Sequence, residues 1–193
     1  GHGWWVLGKF FKGVYIIMSD WTDLFNGSDL NGWRMRHTDK DHAWVVENGL
    51  LMNTSSAVDI VSVNDFGDFQ LHIEYMFPEG SNSGIYLRGR YELQILDSLG
   101  KTYDYPAENG AIYNFKRVDV EVTKPAGEWQ VMDVTLVGMV LTVDLNGERI
   151  HDEVTLENPT GGQLFNDNEP SGPLMLQGDH GPVSFRNIRI RQL

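Results

Sequence analysis

The sequence predicts an all-β protein, a two-sheet antiparallel sandwich of the jelly-roll type. Three observations indicate this class. After Met18 the chain consists of short extended runs broken by Gly, Asn, Asp and Pro. Several of these runs alternate apolar and polar residues, which is the period of a strand with one buried face. No window keeps a helical period over three turns. About ten strands at this spacing fit two packed sheets, one of them with a concave polar face between long loops.

Eleven runs are predicted as strands, each bounded by turn residues. Asn48-Gly49 and Asn146-Gly147 separate two pairs of runs, and Asn-Gly supplies the positive φ angles of a tight hairpin turn. In the last run the alternation slips at Arg186-Asn187, which indicates a bulge or an edge. The runs are Ala43–Glu47, Leu50–Asn53, Asp59–Ser62, Phe69–Phe77, Ser83–Arg88, Tyr91–Leu96, Gln130–Val137, Val140–Leu145, Glu148–Val154, Leu174–Gln177 and Val183–Gln192.

Charge and cysteine usage exclude several classes of function. The formal net charge of the 193-residue chain is -12, whereas a nucleic-acid-binding protein needs a basic surface. The chain has no cysteine, so disulfides and thiolate chemistry are excluded and the redox compartment is not indicated. We therefore expect a neutral or cationic ligand and no nucleic-acid partner. The sequence does not indicate an oligomeric state.

Residues 1–17 differ in character from the rest of the chain. They are apolar and aromatic, with Lys9 and Lys12 as the charged residues. The segment is short for a membrane span, which needs about 20 apolar residues, and it lacks the A-x-A-like end of a cleavable signal. Three interpretations stay open: a leader ahead of Met18, a signal-like or membrane-anchoring remnant, and a native first strand. Residues 18–193 are predicted to form a single domain.

A row of polar side chains runs along one face between Ile85 and Ile95. A solvated strand face more often carries Lys, Thr and Ser, whereas this row has guanidiniums, a carboxylate, an amide and a phenol. It therefore indicates a functional face, although a cross-strand ladder of ion pairs on a solvated face is the alternative. The row consists of Tyr86, Arg88, Arg90, Glu92 and Gln94.

Two segments are too long to be simple connections. Residues 98–124 and 157–173 exceed the length of about 12 residues beyond which loops in compact domains are usually functional or disordered. The first segment carries several aromatic residues, which disordered segments lack. We expect it to form an ordered wall of a site, with side chains able to stack on a sugar ring: Tyr103, Tyr105 and Tyr113.

An ordered series of motifs resembles the 3-keto-disaccharide hydrolase family. The most specific are NSGIYLRGRYELQILDS (82–98) and QGDHGPVSFRNIRIRQL (177–193), and the weaker ones are LFNGSDLNGW (24–33), WVVENGLL (44–51), GAIYNF (110–115), KPAGEWQ (124–130) and LTVDLNGERI (141–150). The resemblance covers Met18 to Leu193. It implies a concanavalin-like jelly roll with its site on the concave sheet, and glycosides oxidised to a ketone at C3 as substrates.

The chain departs from this family in two respects. Relatives usually carry an export signal or a lipoprotein cysteine, and neither is visible here. Residues 114–125 read NFKRVDVEVTKP, where relatives tend to be small and proline-rich. The resemblance favours a periplasmic or extracellular location, and the cytoplasm stays open because no complete signal peptide is visible.

The implied reaction assigns roles to the polar residues. A ketone at C3 acidifies the C2 proton, so a base can remove it and the C1 substituent can leave by elimination, with water completing a net hydrolysis. We expect Glu92 and His180 to transfer protons and Arg88 to bind the oxyanion. His180 lies in a GDHG loop, and Glu74 is expected to face the same groove from the neighbouring strand. The predicted substrate-binding residues are Glu74, Asn82, Arg90, Gln94, Asp97, Tyr113 and Gln177.

Two other functions stay open. One is a non-catalytic carbohydrate-binding module on the same fold. The other is an ordinary glycosidase, whose second carboxylate would be Glu74 or Asp97 facing Glu92. A carbohydrate is the partner in each case. No cofactor is firmly implied: loop groups such as Asp97, Asp179 and His180 suit a divalent ion such as Ca²⁺, but no metal-binding motif such as H-E-x-x-H is present.

Overall fold

The computed structural model describes residues 20–193, which form two antiparallel β-sheets. This part of the chain contains no helix, and hence none long and apolar enough to cross a membrane. The predicted all-β sandwich is therefore confirmed. The three interpretations of residues 1–17 concern a segment outside the described residues.

Thirteen strands make up the two sheets of the described chain. The eight-stranded sheet has the order β11-β10-β9-β6-β13-β4-β3, with β1 paired to β13, and the five-stranded sheet has the order β2-β5-β12-β7-β8. β1 and β2 were not predicted, because strands of two or three residues are too short to show a period. The strands are β1 (Thr22–Asp23), β2 (Trp33–Met35), β3 (Trp44–Glu47), β4 (Leu50–Asn53), β5 (Ile60–Phe66), β6 (Phe69–Met76), β7 (Asn82–Leu87), β8 (Tyr91–Leu96), β9 (Gln130–Val137), β10 (Val140–Leu145), β11 (Glu148–Thr155), β12 (Gly172–Leu176) and β13 (Val183–Gln192).

The predicted turns and the predicted bulge are present. Both residues of Asn48-Gly49 have positive φ angles, 52° and 76°, and those of Asn146-Gly147 are 53° and 84°. These turns connect β3 to β4 and β10 to β11 as hairpins. In β13 the register against β6 shifts between Arg186 and Arg189, and Asn187 has a φ of 51°. The broken alternation therefore marks a β-bulge.

The core lies between the two sheets and determines which side chains of each strand point inward. Phe69, Leu71 and Ile73 of β6 and Leu93 and Ile95 of β8 are each at most 1% exposed. Because successive side chains of a strand point to opposite faces, the alternate residues of β7 and β8 are turned to the outer face of the five-stranded sheet. That outer face carries the polar row.

One long connection folds back over this outer face. We call residues 156–171, between β11 and β12, the covering loop. Its Leu164 packs against Val61, Tyr86 and Met175, which belong to three strands of the five-stranded sheet. The loop therefore buries one part of the outer face and leaves a cleft beside it.

Candidate active site

A cleft of about 280 Å³ opens on the outer face of the five-stranded sheet. β7 and β8 form its floor, and three connections form its walls: the covering loop, the aromatic loop (residues 97–129) and the histidine loop (residues 177–182). It is lined by Asn82, Tyr86, Glu92, Gln94, Tyr113, Gly161, Gly162, Gln177 and His180. The structure thus brings together six residues expected from the sequence, Asn82, Glu92, Gln94, Tyr113, Gln177 and His180.

Glu92 and Tyr86 form the centre of the cleft floor. They are directly opposed in the β7–β8 register, and the Tyr86 hydroxyl lies 2.9 Å from both Glu92 Oε2 and the Gly161 carbonyl oxygen. A phenol has one proton, so it cannot donate to both oxygens at once. If Glu92 is protonated, its own O–H donates to the phenol oxygen and the phenol donates to Gly161. The geometry therefore favours a neutral Glu92.

The environment of Glu92 favours the same protonation state. Burial is the main cause that raises the pKa of the Glu92 carboxyl to about 8, and the negative charges of Asp59 and Asp179 contribute in the same direction. The hydrogen bond that Tyr86 would donate to an ionised Glu92 acts in the opposite direction. The side chain is buried, so water does little to stabilise its charge. Glu92 is thus a carboxylic acid at neutral pH, which suits a proton donor.

Gly84 makes room for this carboxyl group. It lies on β7 opposite Gln94, and a Cβ atom there would stand 2.1 Å from Glu92 Oε1. No side chain other than hydrogen fits beside Glu92 in this orientation.

We expect Gly84→Ala to displace Glu92 and to lower turnover at least tenfold. Overpacking of this kind costs about 1–3 kcal/mol of unfolding free energy. Gly67→Ala is the matched control, because Gly67 also lacks a positive φ and its nearest atom, the Pro170 carbonyl oxygen, would lie at 3.7 Å. Urea unfolding and kcat of both variants test the expectation. Parental values for Gly84→Ala would contradict it.

The histidine loop places an oriented imidazole at the rim. His180 Nδ1 lies 2.5 Å from Asp179 Oδ1, and the ring is half exposed. When the Nδ1–H group donates a hydrogen bond to the carboxylate, Nε2 keeps a free lone pair and can act as a base. The loop is fastened by Asn53, whose Nδ2 donates to the carbonyl oxygens of Gly178 and Gly181 at 3.0 and 2.9 Å.

Amide and aromatic side chains complete the cleft. Gln177 Nε2 lies 3.4 Å from the Tyr86 hydroxyl, and its buried Oε1 has no hydrogen-bond partner among the described residues. A buried acceptor of this kind is available to a hydroxyl group of a ligand. Tyr113 is held by its backbone N–H on the Glu92 carbonyl, and its ring meets Tyr105 edge to face at 6.0 Å. The aromatic loop is therefore an ordered wall.

The structure places Arg88 and Arg90 outside the cleft. Arg88 lies in the hairpin turn after β7, with a φ of 51°, so the alternation that assigned it to the polar face is interrupted there. Its buried guanidinium donates to the carbonyl oxygens of Gly67 and Gly138. The Arg90 guanidinium binds the Asp167 carboxylate and fastens the covering loop. Both arginines hold the fold together at this end of the sheet.

Glu74 and Asp97 also lie away from the cleft. β6, which carries Glu74, belongs to the eight-stranded sheet, and its carboxylate binds His72 and Arg186 there. The expectation that Glu74 faces the same groove is therefore wrong, because β6 lies in the eight-stranded sheet whereas β7 and β8 lie in the five-stranded sheet. Asp97 accepts a hydrogen bond from the Gly80 backbone N–H and lines a separate depression of about 400 Å³. Neither carboxylate faces Glu92.

Several residues of the site were not selected from the sequence. Tyr86 belongs to the polar row, but the sequence analysis assigned it no role. Gly161 and Gly162 line the cleft wall, and their position as a glycine pair in the second long segment is the feature of the sequence that could have indicated this wall.

Among residues 20–193, no three His, Asp or Glu side chains are grouped so that they could hold a metal ion.

The architecture is the jelly-roll sandwich of known glucanases. A β-1,3-1,4-glucanase (lichenase) derived from a mouse hindgut metagenome superimposes with a TM-score of 0.55 at 10% identity, covering 91% of this chain and 99% of that chain. This likeness shows the fold alone. The concanavalin-like jelly roll expected from the sequence is confirmed.

Two other proteins are more similar to this chain in sequence. A Parabacteroides distasonis protein provisionally named a glycosyl hydrolase superimposes with a TM-score of 0.78 at 27% identity, covering 96% of this chain and 94% of its own. A 3-keto-disaccharide hydrolase of Bacteroides thetaiotaomicron is 23% identical over an alignment of 227 positions that covers 88% of this chain and 77% of that protein. The model of the 3-keto-alpha-glucoside-1,2-lyase-like domain matches residues 20–191, and the chain belongs to this family.

Proposed function

We propose that the protein cleaves the glycosidic bond of 3-keto-glycosides by elimination next to the ketone, followed by addition of water. The observation that carries the proposal is the cleft itself. It combines a buried, neutral carboxyl group, Glu92, with an oriented imidazole, His180. The names of the two bacterial relatives support the same reaction class.

The two groups divide the proton transfers. His180 Nε2 removes the C2 proton, and the released electron pair forms the enolate of the C3 ketone. When the ketone re-forms, the pair becomes a C1–C2 double bond and the C1–O bond breaks. Glu92 gives its proton to the departing oxygen. Water then adds at C1, its proton returns to Glu92, and the imidazolium returns a proton to C2, so both residues regain their initial states.

Neutral donors and acceptors would bind the sugar. Because the two arginines are engaged elsewhere, we assign the hydrogen bonds to the ketone or enolate oxygen to the amides of Asn82 and Gln94. The free oxygen of Gln177 would accept a bond from a sugar hydroxyl. Tyr113 offers an aromatic surface to the ring.

The cleft does not favour an ordinary glycosidase. Such enzymes use two carboxyl groups about 5–9.5 Å apart on either side of the scissile bond. Among the nine described residues that line the cleft, Glu92 is the one with a carboxyl group. A mechanism with one acid and one imidazole base fits this set of residues better.

A turnover assay tests the proposed reaction. We expect cleavage of 3-keto-trehalose and 3-keto-lactose, and none of trehalose and lactose, because only the keto sugars have an acidic C2 proton. Equal cleavage of the parent sugars would indicate an ordinary glycosidase and overturn the proposal. Sugar binding without any turnover would indicate a carbohydrate-binding module. Parallel assays with EDTA determine whether turnover needs a metal ion.

A further inference from the structure

The ion pair between Arg36 and Asp59 connects two walls of the cleft, the covering loop and the histidine loop. Arg36 follows β2 and Asp59 precedes β5, and neither side chain lines the cleft. The Arg36 guanidinium donates to the carbonyl oxygens of Gly162 and Gln163 in the covering loop, at 2.8 and 2.9 Å. Its Nη1 is also 3.0 Å from Asp59 Oδ2.

The other oxygen of Asp59 reaches the histidine loop. Asp59 Oδ1 accepts a hydrogen bond of 2.8 Å from the backbone N–H of Gly178, two residues before His180. The Asp59 side chain is 5% exposed and that of Arg36 is 24% exposed, so the pair is partly buried. Charge-assisted bonds in such surroundings are stronger than neutral ones. A continuous chain of polar contacts therefore runs from the covering loop through Arg36 and Asp59 to the histidine loop.

We propose that Arg36 and Asp59 are positioning residues that set the distance between the two proton-transfer groups of the cleft. On one side they hold the loop whose Gly161 carbonyl contacts the Tyr86 hydroxyl, and Tyr86 in turn contacts Glu92. On the other side they hold the loop that carries His180. The role in turnover rests on the function proposed above, whereas the tie between the loops does not.

Asp59 also acts on Glu92 through its negative charge. The groups that face Glu92 from the surrounding elements are Tyr86, Tyr113, His180, Asp179 and Asp59. Burial is the main reason for the raised pKa of Glu92, and the Asp59 charge adds to it. Removing that charge should therefore lower the pKa of Glu92.

Three variants and one control test the proposal. Arg36→Gln and Asp59→Asn each break the chain, while Arg36→Lys keeps the charge but lacks the planar set of donors. Arg149→Gln is the control, because Arg149 makes an ion pair of 2.7 Å with Asp144 on the β10–β11 hairpin, outside the cleft. Amide hydrogen exchange of residues 160–164 and 177–181 and the pH profile of kcat are measured for each.

We expect exchange in both loops to accelerate at least tenfold in all three variants and kcat to fall about tenfold. The decrease of kcat at alkaline pH should move to lower pH in Asp59→Asn, which removes the Asp59 charge, and should stay in place in Arg36→Gln and Arg36→Lys, which keep it. The control should match the parent. A merely structural role would lower kcat in Asp59→Asn without moving this limb of the profile.

Other results would overturn the proposal. Parental exchange in both loops would show that the ion pair does not tie them. Faster exchange with unchanged kcat and an unmoved limb would show a tie with no role in positioning. If the parent protein turns over none of the keto sugars, the proposed function fails, but the exchange arm still decides whether the tie exists.

Discussion

Glu92→Gln is expected to lower turnover of a 3-keto-glycoside by about 10²–10⁴-fold, the range typical of a general acid or base. Glutamine has nearly the same shape as a protonated glutamate, and its amide N–H can donate to the Tyr86 oxygen in the same way. It has no proton to give to a leaving oxygen. The variant should therefore fold like the parent while losing the chemistry.

The pH dependence provides a second measure of the same residue. Because the pKa of Glu92 is about 8, the parent should lose activity as the pH rises through that value, and residual turnover of Glu92→Gln should lack this limb. The unfolded chain releases the proton near the ordinary value of 4.5, so the stability of the parent should decrease from about pH 4.5 to pH 8. The variant should not show this decrease.

A matched control separates the site from general effects. Glu79→Gln changes an exposed carboxyl group beside the separate depression, outside the cleft. It should retain parental kcat. Parental turnover in Glu92→Gln, or an unchanged alkaline limb, would remove Glu92 from the mechanism.

His180→Ala is the second substitution with a large expected effect. Loss of the base should lower kcat by about 10²–10⁴-fold, while the melting temperature stays close to that of the parent. The ring is half exposed, and its hydrogen bond is to the neighbouring Asp179, so little of the fold depends on it. Thermal unfolding and kcat measured together test this expectation.

The control for this substitution is His37→Ala, which removes an exposed imidazole outside the cleft. Imidazole added to the His180→Ala assay should restore part of the activity if the ring acts as a base. Full activity of the His180→Ala variant would contradict the assignment of His180 as the base.

The alternation of residues and the turn residues between the runs were sufficient to predict eleven of the thirteen described strands and part of the site. Burial of one strand face imposes a two-residue period, and this period placed Glu92 and Gln94 on the face that carries the cleft. The period is interrupted wherever the chain turns. Arg88 follows the same alternation in sequence, yet it occupies the hairpin turn, and its side chain points to backbone carbonyls at the end of the sheet.

Other parts of the site depend on long-range packing that local sequence does not encode. Alternation in β6 correctly gave Glu74 an outward direction, but it could not say which of the two sheets would receive the strand. Arg36 lies outside every predicted strand, and Asp59 is the first residue of the predicted run Asp59–Ser62, so the alternation assigned a role to neither of them. Arg36 contacts Gly162 of the covering loop, 126 residues further along the chain, and Asp59 contacts Gly178 of the histidine loop, 119 residues further along. Both contacts form only when the sandwich is assembled.

The covering loop also bears on the size of molecule that can be degraded. A polymer lying across the sheet would have to displace Leu164 from Val61, Tyr86 and Met175. The face is thus blocked on that side, unlike an open track along which a long chain could slide. We expect the protein to act on short saccharides or on the terminal unit of a chain, releasing its product after each encounter, and to be unsuited to internal, processive cutting of polysaccharides.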